Sequence, residues 1–461
     1  MLVQGTLQLP GDKSISHRAI MLSAIAEGVS YVRNLNDGAD LQSTINILKD
    51  CGASIQEREN EIVINGKELH SPSNDLDCGN SGTTTRLVAG LLASQKLIFS
   101  LIGDESLSKR PMKRIITPLT AMGCKIFSND GLLPLSIDAS EGISAIDYDM
   151  KVASAQVKSS ILFSALGGNN VSSVNEIIPT RNHSEIMLKN MGASIESEGS
   201  KIIVHPLKSK LKPIDISVPS DPSSAAFFVA LAVINNNSNL KLTNVLLNES
   251  RIGFVEVLNK MNCFITKSND SVHNGEKVGD LTIGASNLKA IEIESEIIPS
   301  IIDEVPILAV VAAFAKGTTV FKNVEELKYK ECDRLGAIIH NLEAFGIKAY
   351  EKNNDLFNKI KKNKKKKPLE INRDSYFDVI ESLSLNLKSK EGRLIFFKLL
   401  KSADVILENF RPGVMEKLKL DWNTIKKKNK RIIMARISGY GQNDTVVSRQ
   451  GFDATIQAET G

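Results

Sequence analysis

The chain has 461 residues, 42% of them hydrophobic and 24% charged, with a formal net charge of +4. This is ordinary globular usage; it excludes wholesale disorder and collagen-like architecture and allows about two to four domains. No apolar run approaches the roughly 18 residues of a membrane span, and MLVQGTLQLPGDKS lacks a basic stretch followed by an apolar one, so neither a transmembrane helix nor a secretory signal is expected.

The small net charge hides a division. Residues 1–355 hold 34 Lys and Arg against 41 Asp and Glu, a balance of −7. Residues 356–461 hold 23 against 12, a balance of +11. All five cysteines (Cys51, Cys78, Cys124, Cys263 and Cys332) fall in the first part, without a C-x-x-C pair. That usage points to reduced thiols in a cytoplasmic protein, and away from a disulfide framework or a zinc site. A shift this abrupt suggests two pieces of different origin.

Five repeated units follow in chain order. Each has an apolar helix with a small polar start, then a second helix ending in Gly or Asn ahead of a strand. The first unit has SISHRAIMLSAIA (14–26) and ILKDCGASI, with Gly52. The second has NSGTTTRLVAGLLA (80–93) and LTAMGCKI, with Gly123. The third has SAQVKSSILFSALG (154–167) and LKNMGASI, with Gly192. The fourth has SDPSSAAFFVALAVI (220–234) and LNKMNCFI, with Asn262. The fifth has DEVPILAVVAAFA (303–315) and LEAFGIKA, with Gly346. The Gly and Asn positions are spaced by 71, 69, 70 and 84 residues. Gly or Asn is expected where a helix ends in a left-handed residue. The apolar helices read as apolar all round after their first turn, so all five are expected to be buried. The architecture is repeated α/β up to about residue 355.

A buried helix N-terminus leaves N–H groups that need caps, water or a ligand. Several such ends converging on a cleft favour anions. Lys13, Arg18, Arg86 and Lys158 sit in or beside these first turns, and the loops add Arg110, Arg181, Lys330 and Arg334. Two carboxylates interrupt the basic theme: Asp303 and Glu331. Each is a candidate for proton transfer. The structural alternatives are an N-cap for Asp303 and a first-turn acid for Glu331.

The motifs GDKSISHRA (11–19), NSGTTTR (80–86), KRPM (109–112), SAQVKS (154–159), TRNHSE (180–185), SDPSSAA (220–226), DEVP (303–306) and KECDRL (330–335) resemble the 5-enolpyruvylshikimate-3-phosphate (EPSP) synthase family in order and spacing. The resemblance covers residues 1 to about 355. It implies an inside-out α/β barrel of the enolpyruvyl transferase type, with two domains of three repeats each. Residues 12–218 would form the first domain, and 1–11 with 219–355 the second, with two of its three repeats. It implies shikimate-3-phosphate and phosphoenolpyruvate as substrates, and neither metal nor organic cofactor.

Carried onto this chain, Lys13, Ser14, Arg18, Ser154, Ala155, Gln156, Arg181, Asp303 and Lys330 match positions that hold shikimate-3-phosphate. Lys13, Gly82, Arg110, Gln156 and Arg334 match positions that hold phosphoenolpyruvate. Asp303 would accept the proton of the 5-hydroxyl, with Lys13 and Glu331 donating and positioning the others. A related family, the enolpyruvyl transferase acting on UDP-N-acetylglucosamine, is rejected: the first motif reads Lys13-Ser14, and the loop GDESLSKRPM has no Cys.

The resemblance stops near 348–357. The Asp-His-Arg helix start of a sixth repeat occurs nowhere in the sequence. A Lys-rich junction (356–381) follows, read as a solvated linker without nucleic-acid binding. Beyond it, SLSLNLKSKEGR, ADVILENFRPGVMEKLKLDW, ISGYGQ and GFDATIQAETG (within 382–461) resemble a fragment of the family III CoA-transferases. Asn409, Phe410 and Arg411 match a coenzyme A-lining stretch, but the fragment is too short for CoA-transferase activity to be expected. Two readings remain: a cytoplasmic, monomeric enolpyruvyl transferase with a foreign tail, or an inactive hybrid that at most binds shikimate-3-phosphate.

Overall fold

The computed structural model describes residues 2–235, 237–330, 332–359, 387, 389–401, 403, 405–408, 414–430 and 432–436. They form two compact units, one within residues 1–371 and one within 372–461. Among the described residues no helix is long and apolar enough to cross a membrane.

The larger unit contains five four-stranded sheets built to one plan. In each, an edge strand pairs parallel with a second strand, which continues antiparallel into a hairpin. In the first sheet Asp215–Ser217 lies beside Gly28–Arg33, then Glu61–Gly66, then Ser54–Glu57. The second runs Leu76–Asp77, Ile98–Ile102, Leu132–Asp138, Lys125–Asn129. The third runs Asp147–Asp149, Ser172–Asn175, Lys201–Val204, Ile195–Glu198. The fourth takes its edge from the start of the chain: Leu2–Gln8, Asn237–Leu246, Glu276–Gly284, Phe264–His273. The fifth runs Glu292–Ile293, Thr318–Phe321, Asp355–Lys359, Lys348–Lys352. Its hairpin therefore continues through Lys359, past the boundary at 355 that the motifs suggested.

Directly ahead of the second strand of each sheet runs an apolar helix: α1 (Lys13–Ala24), α2 (Gly82–Ser94), α3 (Ala155–Ala165), α4 (Pro222–Ile234) and α5 (Val305–Ala312). Side chains cap four of them. Asp12 accepts from the Ile15 N–H, Ser81 from Thr84, Ser154 from Val157 and Asp221 from Ser223. After the surface helix of each unit comes the expected left-handed residue: Gly52, Gly123, Gly192, Asn262 and Gly346 have φ of 90°, 101°, 90°, 68° and 76°. At Gly346 an added Cβ would meet nothing within 4 Å. Gly346→Val should therefore cost only the backbone term, about 1–2 kcal/mol, read as a lower urea midpoint.

Two hydrophobic cores result. One draws on residues from Ile15 to Val218 together with Leu246, the other on Val3, Leu9 and other residues from Ala225 to Leu356. In the first, α2 and α3 approach so closely that a Cβ on Gly90 would lie 2.1 Å from the Ser160 carbonyl oxygen.

The expectation of five fully buried helices holds for α1, α2 and α3 and fails for α4 and α5. Phe227, Phe228 and Leu231 of α4 are 60%, 37% and 37% exposed, and Val310 of α5 and Phe314 just after it are 40% and 54% exposed. In the first three units a third apolar helix completes the packing. Among the described residues, α4 and α5 have no such third member.

The smaller unit has a helix at Lys390–Leu400, short helices at Val414–Lys417 and Trp422–Lys428, and a parallel pair, Val405–Glu408 with Ile433–Arg436. Leu400, Met415, Leu420, Ile425 and Ile432 form its core. Asn409, Phe410 and Arg411 lie outside the described residues.

Candidate active site

Asp303 sits among cations. It pairs with Arg181, its Oδ1 accepts from Arg334 Nη1 at 3.1 Å, and Arg251 Nη1 is 4.0 Å from its Oδ2. Burial opposes its charge, but Arg181, Arg334, Lys330 and Arg251 outweigh burial and hold the carboxyl far below the usual carboxylate range. Asp303 is not a helix cap, because Glu304 occupies the N-cap position of α5. Lys330 is lowered by burial, against the raising influence of Asp303. Glu331 lies outside the described residues.

A second cluster surrounds the start of α2. Arg86 bonds to the Gln156 side-chain oxygen, and Gln156 Nε2 donates to Thr83 Oγ1 at 2.9 Å. Gln156, in the first turn of α3, thus ties α3 to α2. A Cβ on Gly82 would lie 3.0 Å from Arg86 Nη1 and 3.2 Å from Arg110 Nη1. The Arg110 Nε is buried with no hydrogen-bond partner. Arg86 is pushed down to about 10, by burial first and then by Arg110 and Arg114. Guanidiniums gathered this way favour an anion between them.

A third cluster centres on Arg18. Its guanidinium donates to Ser184 Oγ and Ser159 Oγ, both at 2.7 Å, and to the Ser14 carbonyl at 2.9 Å. Burial lowers it to about 10, with Glu185 and Asp12 acting the other way, so it stays charged at neutral pH. Ser154 caps α3 and Ala155 opens that helix. Lys13 pairs with Asp40. Burial raises Asp40, but Lys13 outweighs it and the carboxyl is lowered. Behind Lys13, His17 is pushed down to about 3 by burial and by Lys13, and its Nδ1 is 2.8 Å from Thr44 Oγ1.

Lys158 does not belong with the cleft bases. It is fully buried, 3.0 Å from Glu176 and 2.6 Å from Glu185. Its charge is neutralised inside the first core, where two carboxylates share one ammonium.

The motifs missed Arg251. It donates to Asp12 at 3.0 Å, Asp221 at 3.1 Å and Ser223 at 3.0 Å. Asp12 and Asp221 cap α1 and α4 where the chain passes between the two cores, and the passages bond to each other: Asp12 N to Pro219 O at 2.8 Å, Asp221 N to Pro10 O at 3.0 Å. The paired GD and SDP caps were the available signal; Arg251 itself lies in no motif.

Among the described residues no group of three or more His, Cys, Asp or Glu is placed to hold a metal. Cys51, Cys78, Cys124 and Cys263 are free thiols.

Comparison with known proteins accounts for this arrangement. The profile of EPSP synthase (3-phosphoshikimate 1-carboxyvinyltransferase) matches residues 2–385, and that of CoA-transferase family III matches residues 378–461. The 3-phosphoshikimate 1-carboxyvinyltransferase of Thermoanaerobacter sp. (strain X514) is 43% identical over 352 residues, 76% of this chain and 83% of the relative. That of Clostridium tetani is 42% identical over 357 residues, 77% of this chain and 81% of the relative. EPSP synthase from Acinetobacter baumannii superposes with a TM-score of 0.71 at 39% identity, over 78% of this chain and 82% of that one. The enolpyruvyl transferase NikO from Streptomyces tendae, 14% identical with a TM-score of 0.62 over 78% of this chain and 82% of that one, shares the fold. With five repeats of one sheet-and-helix plan and this similarity, the chain belongs to the EPSP synthase (3-phosphoshikimate 1-carboxyvinyltransferase) family.

Proposed function

We propose that the larger unit binds shikimate-3-phosphate and phosphoenolpyruvate and transfers the enolpyruvyl group to the 5-hydroxyl, releasing phosphate. The observation that carries this reading is Asp303, a half-buried carboxylate held charged by Arg181, Arg334, Lys330 and Arg251. Both substrates are anions, and the reaction needs one base among cations. Lys13, Ser14, Arg18, Ser154, Ala155, Gln156, Arg181, Asp303 and Lys330 hold shikimate-3-phosphate. Lys13, Gly82, Arg110, Gln156 and Arg334 hold phosphoenolpyruvate.

In the reaction, Asp303 takes the 5-hydroxyl proton as that oxygen attacks the enol carbon, while the neighbouring methylene carbon gains a proton. Loss of that carbon's proton with departure of phosphate restores the double bond. Lys13, beside both ligand sets, serves as the donor. The passages at 10–12 and 219–221 act as the hinge between residues 12–218 and the remainder, and closure there expels water from the cleft. We place this activity in the cytoplasm, with one copy of the chain per site and without nucleic acid or membrane.

Isothermal titration with shikimate-3-phosphate, together with a coupled phosphate-release assay on both substrates, tests the reading. Binding is expected, with turnover far below that of the matched relatives because α4 and α5 each leave an apolar face uncovered among the described residues. No heat on adding shikimate-3-phosphate would remove the assignment. Gly82→Ala presses on Arg86 and Arg110 and is expected to raise the KM for phosphoenolpyruvate, leaving the Kd for shikimate-3-phosphate unchanged. Equal shifts in both would contradict the steric argument.

A further inference from the structure

Residues 177–182 belong to no strand or helix, yet this stretch brings Arg181 to Asp303. A long side chain on irregular backbone must give up rotamer freedom to hold a ligand. Contacts that fix the backbone beneath it reduce what is left to order.

Such contacts come from both ends of the stretch. At its start Glu176 closes a turn over 176–180: its Oε1 accepts from the Thr180 N–H at 3.1 Å and from the Thr180 hydroxyl. Ile177 and Ile178, inside that turn, are exposed, so core packing does not shape it. The other Glu176 oxygen accepts from Lys158 Nζ at 3.0 Å. The same ammonium lies 2.6 Å from Glu185 Oε1, in the first turn of the helix His183–Asn190. Lys158 is fully buried and so ties both ends of 176–185 to one fixed point. Just after Arg181 the stretch is held from residues 219–355. Asn182 Oδ1 accepts from Asn248 Nδ2 at 2.9 Å, and His183 Nδ1 is 2.7 Å from Glu276 Oε1.

Buried ionic groups are weak evidence for stability, because apolar residues of like volume often serve a core as well. What this group adds is placement of the residue after Thr180. We infer that Glu176, acting through Thr180, is a positioning residue that presets Arg181 for shikimate-3-phosphate, with Lys158 as its anchor. The inference rests on the functional reading above, in which Arg181 holds that ligand. Lys158 thus serves the anion site without touching the anion. Arg181 is in place before the ligand arrives, so binding does not have to order it.

Thr180→Val tests this, because it removes the hydroxyl and keeps the β-branched shape. By isothermal titration the Kd for shikimate-3-phosphate should rise about three- to tenfold, the scale of ordering one rotamer-rich side chain on binding. Thr180→Ser should restore the parent Kd. In an Arg181→Met background Thr180→Val should add nothing, since the hydroxyl acts through that guanidinium. The ligand-free chain gives an independent measure. The NMR signal of the Arg181 side chain, identified by its loss in Arg181→Lys, should broaden in Thr180→Val and sharpen again in Thr180→Ser. An Arg181 signal unchanged by Thr180→Val overturns the proposal. So does an unchanged Kd in a parent chain that binds, or an equal further loss in the Arg181→Met background. A thermal midpoint that falls in step with the Kd across the variants also overturns it, by making the role one of folding. No heat from the parent chain would sink the functional reading, while a broadened Arg181 signal would still support the positioning.

Discussion

Arg251→Leu should lower the stability of the larger unit by about 3–5 kcal/mol, the range for removing one partner of a buried ionic group. Arg251 is 3% exposed and donates to two buried carboxylates, Asp12 and Asp221, as well as to Ser223. Asp12 caps α1 and Asp221 caps α4, so one guanidinium holds both starts of the chain's passages between cores. Burial opposes the charge of Asp12, but Arg251 outweighs it and Asp12 is lowered. Asp221 is raised, by burial and by the charge of Asp12. With leucine in place of arginine, two carboxylates face each other without a cation, and both gain affinity for protons. A folded-state acid pKa above its unfolded value means the native state binds more protons, so stability rises as pH falls. The loss should therefore shrink between pH 7 and pH 5. Urea midpoints at the two pH values check this; an equal loss at both would show that the damage is packing rather than charge. Arg251→Lys should lie between the two, because an ammonium restores charge without the fork that spans both carboxylates.

What could be read from sequence follows from which features are local. Gly52, Gly123, Gly192, Asn262 and Gly346 were legible because a left-handed helix end demands those residue types, and all five have positive φ. The small polar starts of these helices were legible too, and Ser81 and Ser154 in them cap α2 and α3. Arg181 and Asp303 lie 122 residues apart, and only the matched family motifs brought them together; periodicity placed neither near the other. Lys158 was misread because a base in a first turn looks like an anion ligand. Its partners, Glu176 and Glu185, arrive from a strand end and a different helix. The faces of α4 and α5 were misread for a related reason. An apolar helix reports that it wants partners, and nothing in its own sequence reports whether the chain supplies them. Arg251 escaped because its two carboxylates are 239 and 30 residues away, and no short motif encodes that triangle.

Asp303→Asn should reduce phosphate release by about 10²–10⁴-fold, the usual contribution of a positioned general base. The isostere keeps the shape of the carboxylate and loses its charge. In the structure Asp303 is ionised but weakly basic, because Arg181 and Arg334 contact it directly. A substrate phosphate or carboxylate competes for the same guanidiniums. Each anion that binds draws off part of the positive field, and the affinity of Asp303 for a proton rises. The base is thus weak before the substrates arrive and stronger once they are bound. A base must be unprotonated to act, so its pKa sets an acid limb in the rate. That limb should appear at higher pH in kcat, which reports the bound complex, than in kcat/KM, which reports the free protein. Asp303→Asn should remove the limb from kcat and weaken shikimate-3-phosphate binding only modestly, because Lys13, Arg18 and Lys330 remain. Phosphate release within twofold of the parent would rule Asp303 out as the base, and a limb at the same pH in both profiles would reject the coupling between anion binding and basicity.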